Sequence, residues 1–230
     1  MNQHYLPGNP PLEINLRRSK QAKRMSLRVS RLDGRVTLTF PNGLPESQAL
    51  EFVREKESWL RLQQSQHVPS VKVKIGGALP IEGQRRIICM GQGRRVELSD
   101  DCVRVPGDPE TAPRRLLGHL KQLARAELAA ASDQYAQQLG KSYVRLSIRD
   151  TRSRWGSCTS EGGLMYSWRL IMAPRSVLAY VAAHEVAHLS EMNHSAEFWR
   201  TVQQLYGDFD ESRTWLRENG HELHRYQFGD

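Results

Sequence analysis

The sequence predicts an α+β fold in two parts: a β-rich, basic N-terminal domain with one helix over residues 1–108, and a mainly helical half over residues 109–230. Three observations predict it. Up to about residue 105 the apolar residues come in short alternating runs broken by Gly and Pro. From about residue 110 they recur at spacings of three and four instead. Pro106-Gly107-Asp108-Pro109 falls where the period changes, which makes it the candidate boundary.

The elements follow in order. Residues 1–12, rich in Pro and Asn, read as an extended arm. Ile14 and Leu16, then Met25, Leu27 and Val29, then Val36, Leu38 and Phe40 alternate as strands, with Asp33-Gly34 as a hairpin turn. Ser47 is the expected cap of a helix reaching Ser65, with Phe52, Val53, Trp59, Leu60 and Leu62 on its apolar side. Residues 68–105 read as short strands, Ile87–Met90 and Val103–Val105 being the clearest. Their glycines lack the spacing of a phosphate loop. A long amphipathic helix over residues 110–139 places Leu116, Leu120, Ala124, Leu128 and Tyr135 on one stripe and ends at Gly140. Two strands follow, over residues 143–150 and 163–173. Pro174 then opens a helix expected to run to about Asn193. Ser195 caps a further helix with Phe198, Trp199, Val202, Leu205 and Tyr206 on its buried face. A last one spans residues 210–219.

Composition narrows the function classes. No apolar run approaches the ~18 residues of a membrane span, and the N-terminus lacks the layout of a signal peptide. Three cysteines without a C-x-x-C argue against a disulfide scaffold or a cysteine metal site, so a reducing cytoplasm is the expected compartment. The net charge of +8 is uneven: residues 1–99 carry 17 Lys/Arg against 8 Asp/Glu, and residues 100–230 carry 16 against 17. Arg17, Arg18, Lys20, Lys23, Arg24 and Arg28 form the densest cluster, readable as a solvated strand face or as a surface for nucleic acid.

The chemistry sits at His184-Glu185-Val186-Ala187-His188. Residues four apart share a helix face, so His184 and His188 can present two imidazoles to one metal ion. Glu185 beside them can reach a water on that metal, as the general base of zinc hydrolases does. With 8 His and 16 Glu in the chain, chance supplies about 0.02 such patterns. His194, ten positions after His184, is the candidate third ligand, with Glu211 as the alternative. A fourth position is left for water, so one Zn²⁺ per chain is expected to be catalytic. Arg154, Tyr166 and His224 are candidate donors to a developing oxyanion. Tyr180 is expected to pack on the helix. Cys158 reads as a small buried residue rather than a reactive thiol, and His221 and His224 as non-ligands in a polar tail.

Arg154-Trp155-Gly156-Ser157-Cys158, Trp168-Arg169-Leu170, Ala173-Pro174, Tyr180–His188, Asn193–Trp199 and the early Arg17–Val29 stretch together resemble the YgjP-like metallopeptidase family, relatives of the SprT-like and WLM zinc peptidases. The resemblance implies a zincin-like catalytic half: long helix, small sheet, H-E-x-x-H helix and covering helices. It implies His184, His188 and His194 as zinc ligands, Glu185 as catalytic base, and a peptide or protein substrate. Metzincins share the interval to the third histidine but have glycine where this chain has Glu191, so the chain is expected to reverse later, around Asn193. Alternatives are an amide hydrolase acting on a non-protein substrate, a nucleic-acid-associated protease using the basic N-terminal part, and a binding module with a structural zinc. The Arg154–Cys158 stretch lines the cleft, offers a strand edge to substrate, or anchors the sheet.

Overall fold

Alternating apolar residues build the first unit of the chain. The structure, a computed structural model, describes residues 2–30, 34–65 and 69–229. It divides into Met1–Ser70 and Val71–Asp230, and its class is α+β, with six α-helices among the described residues. Strands β1 (Asn2–Leu6), β2 (Leu12–Ser19), β3 (Ser26–Val29) and β4 (Val36–Pro41) form a sheet in the order β1-β2-β4-β3. Leu12, Ile14, Leu16, Val36, Leu38 and Phe40 all point to one face. There they bury against Ala49 and Val53 of α1 (Glu46–Glu55) and Leu60 of α2 (Glu57–Ser65). Each such side chain contributes roughly 1.5–3 kcal/mol when removed from water.

Three local expectations differ here. The arm at residues 1–12 contains β1, because its backbone groups pair with β2 from Asn2↔Leu16 to Leu6↔Leu12. The helix up to Ser65 is two helices parted at Lys56, and Pro45 rather than Ser47 stands at its N-cap. Trp59 and Leu62 lie on the solvent side of α2, 43 % and 55 % exposed, since Leu60 alone completes its buried stripe. Asp33 of the expected turn and Val68 lie outside the described residues; Gly34 adopts the positive φ that a tight turn needs (68°).

In the second unit, β6 (Ala78–Ile81), β7 (Gln84–Gly91), β8 (Glu97–Leu98) and β9 (Cys102–Pro106) form a sheet in the order β6-β7-β9-β8; β5 (Val71–Lys72) precedes it. Leu79, Ile81, Ile88, Val103 and Val105 of this sheet share one core with Leu116, Leu120, Ala124 and Leu128 of α3 (Ala112–Leu139). The two compact units therefore part at Ser70 and not at Pro106–Pro109: that turn connects two layers of one core. Gly140 takes the left-handed C-cap conformation as expected (φ 65°).

Then come β10 (Arg145–Arg149), β11 (Gly156–Cys158) and β12 (Gly163–Ser167), in the order β10-β12-β11, parallel between β10 and β12 and antiparallel between β12 and β11. The second predicted strand thus ends at Ser167 and turns into a 3-10 segment, Trp168–Met172. α4 (Arg175–Ala187) is apolar almost all round and is buried between α3 and the covering helices α5 (Ala196–Tyr206) and α6 (Asp210–Asn219). Its start is held by the β6–β7 hairpin tip. Glu82 there has a positive φ of 56°, donates its N–H to Ile171 O (2.6 Å), and pairs with Arg175 through Oε1 (3.0 Å to Nε). Among the described residues, no helix is long and apolar enough to cross a membrane.

The C-terminal segment is not the polar tail expected. Leu223, His224 and Phe228 are buried, and β13 (Tyr226–Gln227) pairs in parallel with β5. Arg169, 7 % exposed, holds it in place. Its guanidinium donates to both Asp150 oxygens (2.7 and 3.1 Å) and to the carbonyls of Leu223 (2.8 Å) and Tyr226 (3.2 Å). Burial, aided by the charge of Arg169, pushes His224 down to about 4. Burial raises the Asp150 carboxyl, but the bonds from Arg169 outweigh it and hold the group below its ordinary value.

Both groups make the fold acid-sensitive. Neutral His224 supports folding fully above the unfolded histidine value near 6.5, and that support is lost as pH falls through about 4. Asp150 adds its loss below the ordinary carboxylate range. Urea midpoints are expected to fall between pH 6.5 and 4 by the equivalent of about 2 kcal/mol, and His224→Gln is expected to flatten that slope. An unchanged slope in the variant would exclude His224 as its source.

Candidate metal centre

The last turn of α4 carries His184 and Glu185. The helix ends at Ala187, with His188 as C-cap (φ −64°, ψ −16°). It is shorter than the run to Asn193 that the sequence suggested, because the turn tightens: the N–H groups of Leu189 and Ser190 bond the carbonyls three residues back, at 2.9 and 3.1 Å. The reversal begins at once and needs no left-handed residue, since Glu82 is the one non-glycine with positive φ among the described residues. Glu191 is therefore no obstacle to it. His188 Nδ1 lies 2.9 Å from Glu191 O, which assigns the proton to Nδ1 and leaves the Nε2 lone pair free.

That reversal brings His194 back over the helix. The ligand atoms of His184, His188 and His194 all lie within 4.8 Å of one another, and Nε2 of His184 and Nε2 of His194 are 3.1 Å apart. Two nitrogens on one tetrahedral zinc with bonds of ~2.05 Å sit about 3.3 Å apart, so this spacing fits a shared ion. Burial, with the charges of His188, His194 and Arg213 behind it, pushes His184 down to about 3. Burial also lowers His188, outweighing the bond to the Glu191 carbonyl. Both rings are held neutral, the form that binds metal. Glu211, the alternative ligand, is exposed on α6 and stands outside this group.

Sequence reasoning did not foresee what seats the triad. Ser195 caps α5 as expected, its Oγ accepting from Phe198 N at 3.2 Å. The cap sets the fully buried Phe198 ring among all three imidazoles, with centroids 4.9, 4.5 and 4.7 Å from His184, His188 and His194. Trp199 stacks on His194 (5.7 Å) and carries Arg213 over its own ring (4.8 Å). The signal was available: Ser195 fixes the helical phase, and the phase puts Phe198 beneath the triad.

Glu185 is 5 % exposed, and burial pushes its carboxyl up to about 8 against the opposing charge of Arg154. Its neighbour is the backbone of β11. A Cβ on Gly156 would come within 2.5 Å of both Cγ and Oε1 of Glu185, so the glycine is what lets the carboxylate lie there. Trp155 O accepts from Ser167 N (2.8 Å) and Thr159 N donates to Gly163 O (3.0 Å). By the alternation of an antiparallel ladder, Gly156 and Cys158 turn their N–H and C=O groups to the other edge of β11. Among the described residues no strand covers that edge.

The model of the YgjP-like metallopeptidase domain matches residues 23–219. The chain belongs to the YgjP-like metallopeptidase family. No curated protein matches it. Among solved structures, it is similar to the metallopeptidase zymogen of Pyrococcus abyssi abylysin, at 19 % identity and a TM-score of 0.36, over 40 % of this chain and 95 % of that one.

The remaining candidates of this YgjP-like chain divide. Arg154 is exposed and its charge reaches Glu185. Tyr166 is fully buried, its hydroxyl 3.0 Å from Ser132 Oγ in the core. His224 packs on Trp155 (5.2 Å) and stands outside the histidine group. Tyr180 is buried edge-on to His184 (6.0 Å), as core packing requires. Burial and the Glu185 charge push the Cys158 thiol up to about 11, which keeps it protonated and unreactive. In the first unit, Arg17, Lys20, Lys23 and Arg24 are exposed. Arg18 is engaged locally, donating to the carbonyls of Asn42 (3.1 Å) and Leu44 (3.0 Å) above the Phe40 ring.

Proposed function

We propose that this chain is a zinc-dependent metallopeptidase in which His184, His188 and His194 hold the ion and Glu185 is the general base. The supporting observation is a juxtaposition: three imidazoles within ligand distance of one another, beside a buried carboxylate that rests on an unpaired strand edge. Three neutral nitrogen donors suit Zn²⁺ better than Mg²⁺ or Ca²⁺, which take oxygen. A zinc ion there would supply Lewis-acid chemistry, polarising the scissile carbonyl and acidifying a water.

A divalent cation held beside Glu185 would favour its ionised form over the protonated one that burial alone favours; as a carboxylate it takes one proton from the attacking water and delivers it to the nitrogen of the leaving amine. Arg154 is the proposed donor to the developing oxyanion. The free N–H and C=O groups of Gly156 and Cys158 would add an extended peptide as a further strand, recognising backbone whatever its side chains. That favours a polypeptide over other amides. Zinc-loaded protein is expected to cleave an unfolded polypeptide, and the Glu185→Gln protein is not; equal cleavage by both contradicts the reading.

Gly156→Ala is a sharper probe of the geometry. The added methyl must displace Glu185, and a catalytic group misplaced by about 1 Å loses on the order of a hundredfold in rate. Metal content is expected to stay unchanged, because the atoms that the methyl meets first all belong to Glu185. A fully active Gly156→Ala protein would show that the base does not work from this position.

A further inference from the structure

A cavity of about 260 Å³ opens beside His188. One wall is the β11–β12 turn, which supplies Ser160 and Glu161. Another is the chain just beyond α3, with Lys141 and Ser142, and a third is the reversal after α4, with Ser190. The Lys141 ammonium, the Glu161 carboxylate and the hydroxyls of Ser142, Ser160 and Ser190 make no hydrogen bond or ion pair within the described residues. The cavity also continues the line of the β11 edge, because Thr159 and Ser160 follow Cys158 directly.

We infer that this cavity is the subsite for a substrate side chain next to the scissile bond, and that it selects a long, neutral, hydrogen-bonding side chain of the glutamine type. The inference rests on the metallopeptidase reading and adds a substrate class to it. Position carries the first half: His188 and the residues that directly follow β11 line the same cavity, so a peptide laid along the β11 edge beside Glu185 would be led toward it. Lining chemistry carries the second. One cation and one anion leave the pocket without net charge, so neither an acidic nor a basic side chain is matched throughout. A carboxamide offers an acceptor to Lys141 and donors to Glu161. An aliphatic side chain would touch Leu189 and Met192 but strip water from both charged groups and return no hydrogen bond.

The test uses binding rather than turnover. Zinc-loaded Glu185→Gln protein is titrated calorimetrically with acetohydroxamate, then with hydroxamates carrying glutamine, glutamate, lysine and leucine side arms. Acetohydroxamate reports the metal centre alone, and the arms report the pocket. The glutamine arm is expected to bind at least about tenfold more tightly than the leucine arm, with glutamate and lysine between them. The exposed double variant Lys141→Met/Glu161→Leu is expected to reverse that order while binding acetohydroxamate unchanged. If acetohydroxamate binds but leucine equals or exceeds glutamine in the unaltered pocket, the subsite inference is wrong and the metal reading stands. If acetohydroxamate does not bind, the metal reading fails and the subsite falls with it.

Discussion

Replacing Glu185 with glutamine is expected to lower the proposed peptide hydrolysis about a thousandfold or more while leaving metal uptake and fold intact. Glutamine fills the same space, so the close approach to Gly156 is kept and no cavity opens. What it lacks is an oxygen able to accept a proton. The carboxyl is also ill at ease in its surroundings, buried and raised to about 8. Its replacement by a neutral isostere is expected to leave the thermal midpoint unchanged or higher, as for residues kept for activity rather than stability. Rate and midpoint measured on the same two proteins separate this from a structural role: a structural role would lower both together.

His188→Ala is expected to have the second large effect, on metal. Its Nδ1 is tied to the Glu191 carbonyl and its ring stacks on Phe198 at 4.5 Å, so it is the most firmly oriented of the three histidines. Removing it leaves two donors, and two imidazoles do not hold zinc against the buffer. Added zinc raises the midpoint of a protein that binds it only when folded, by about 2.7 kcal/mol at a hundredfold excess over Kd. Wild-type protein is expected to show that rise in a thermal melt and His188→Ala is not. The variant should also be destabilised by about 2 kcal/mol without metal, because the ring packs against Phe198. A zinc-induced shift of equal size in both proteins would remove His188 from the ligand set.

Much of this was legible in the sequence where one local rule decides. Four-residue spacing placed His184 and His188 on one face, the side-chain oxygen of Ser195 announced the start of α5, and Gly140 announced the end of α3. Alternation found β2, β4, β7 and β9. What escaped depended on partners distant in the chain. β1 is a strand only because β2 lies beside it. Tyr166 reads as a polar group near the site until Ser132, 34 residues earlier, takes its hydroxyl into the core. Pro106–Pro109 looks like a linker locally, whereas Val103 and Val105 before it and Leu116 after it share one core.

Gly156 shows the same limit at the site itself. A glycine within a strand signals a close approach by something, but nothing local says that the something is the Glu185 carboxylate. The early end of α4 is a further case. His188, Leu189 and Ser190 are tolerable helix residues, and the helix stops because tightened bonds and the Glu191 carbonyl favour the reversal that returns His194 to His184.

The most direct measurement is elemental analysis of untagged protein, purified without chelator, beside His188→Ala prepared in the same way. About one zinc per chain in the wild type and almost none in the variant is the expected result. No zinc in the wild type even after zinc is added back, or equal zinc in both proteins, would contradict a metal centre built on His184, His188 and His194.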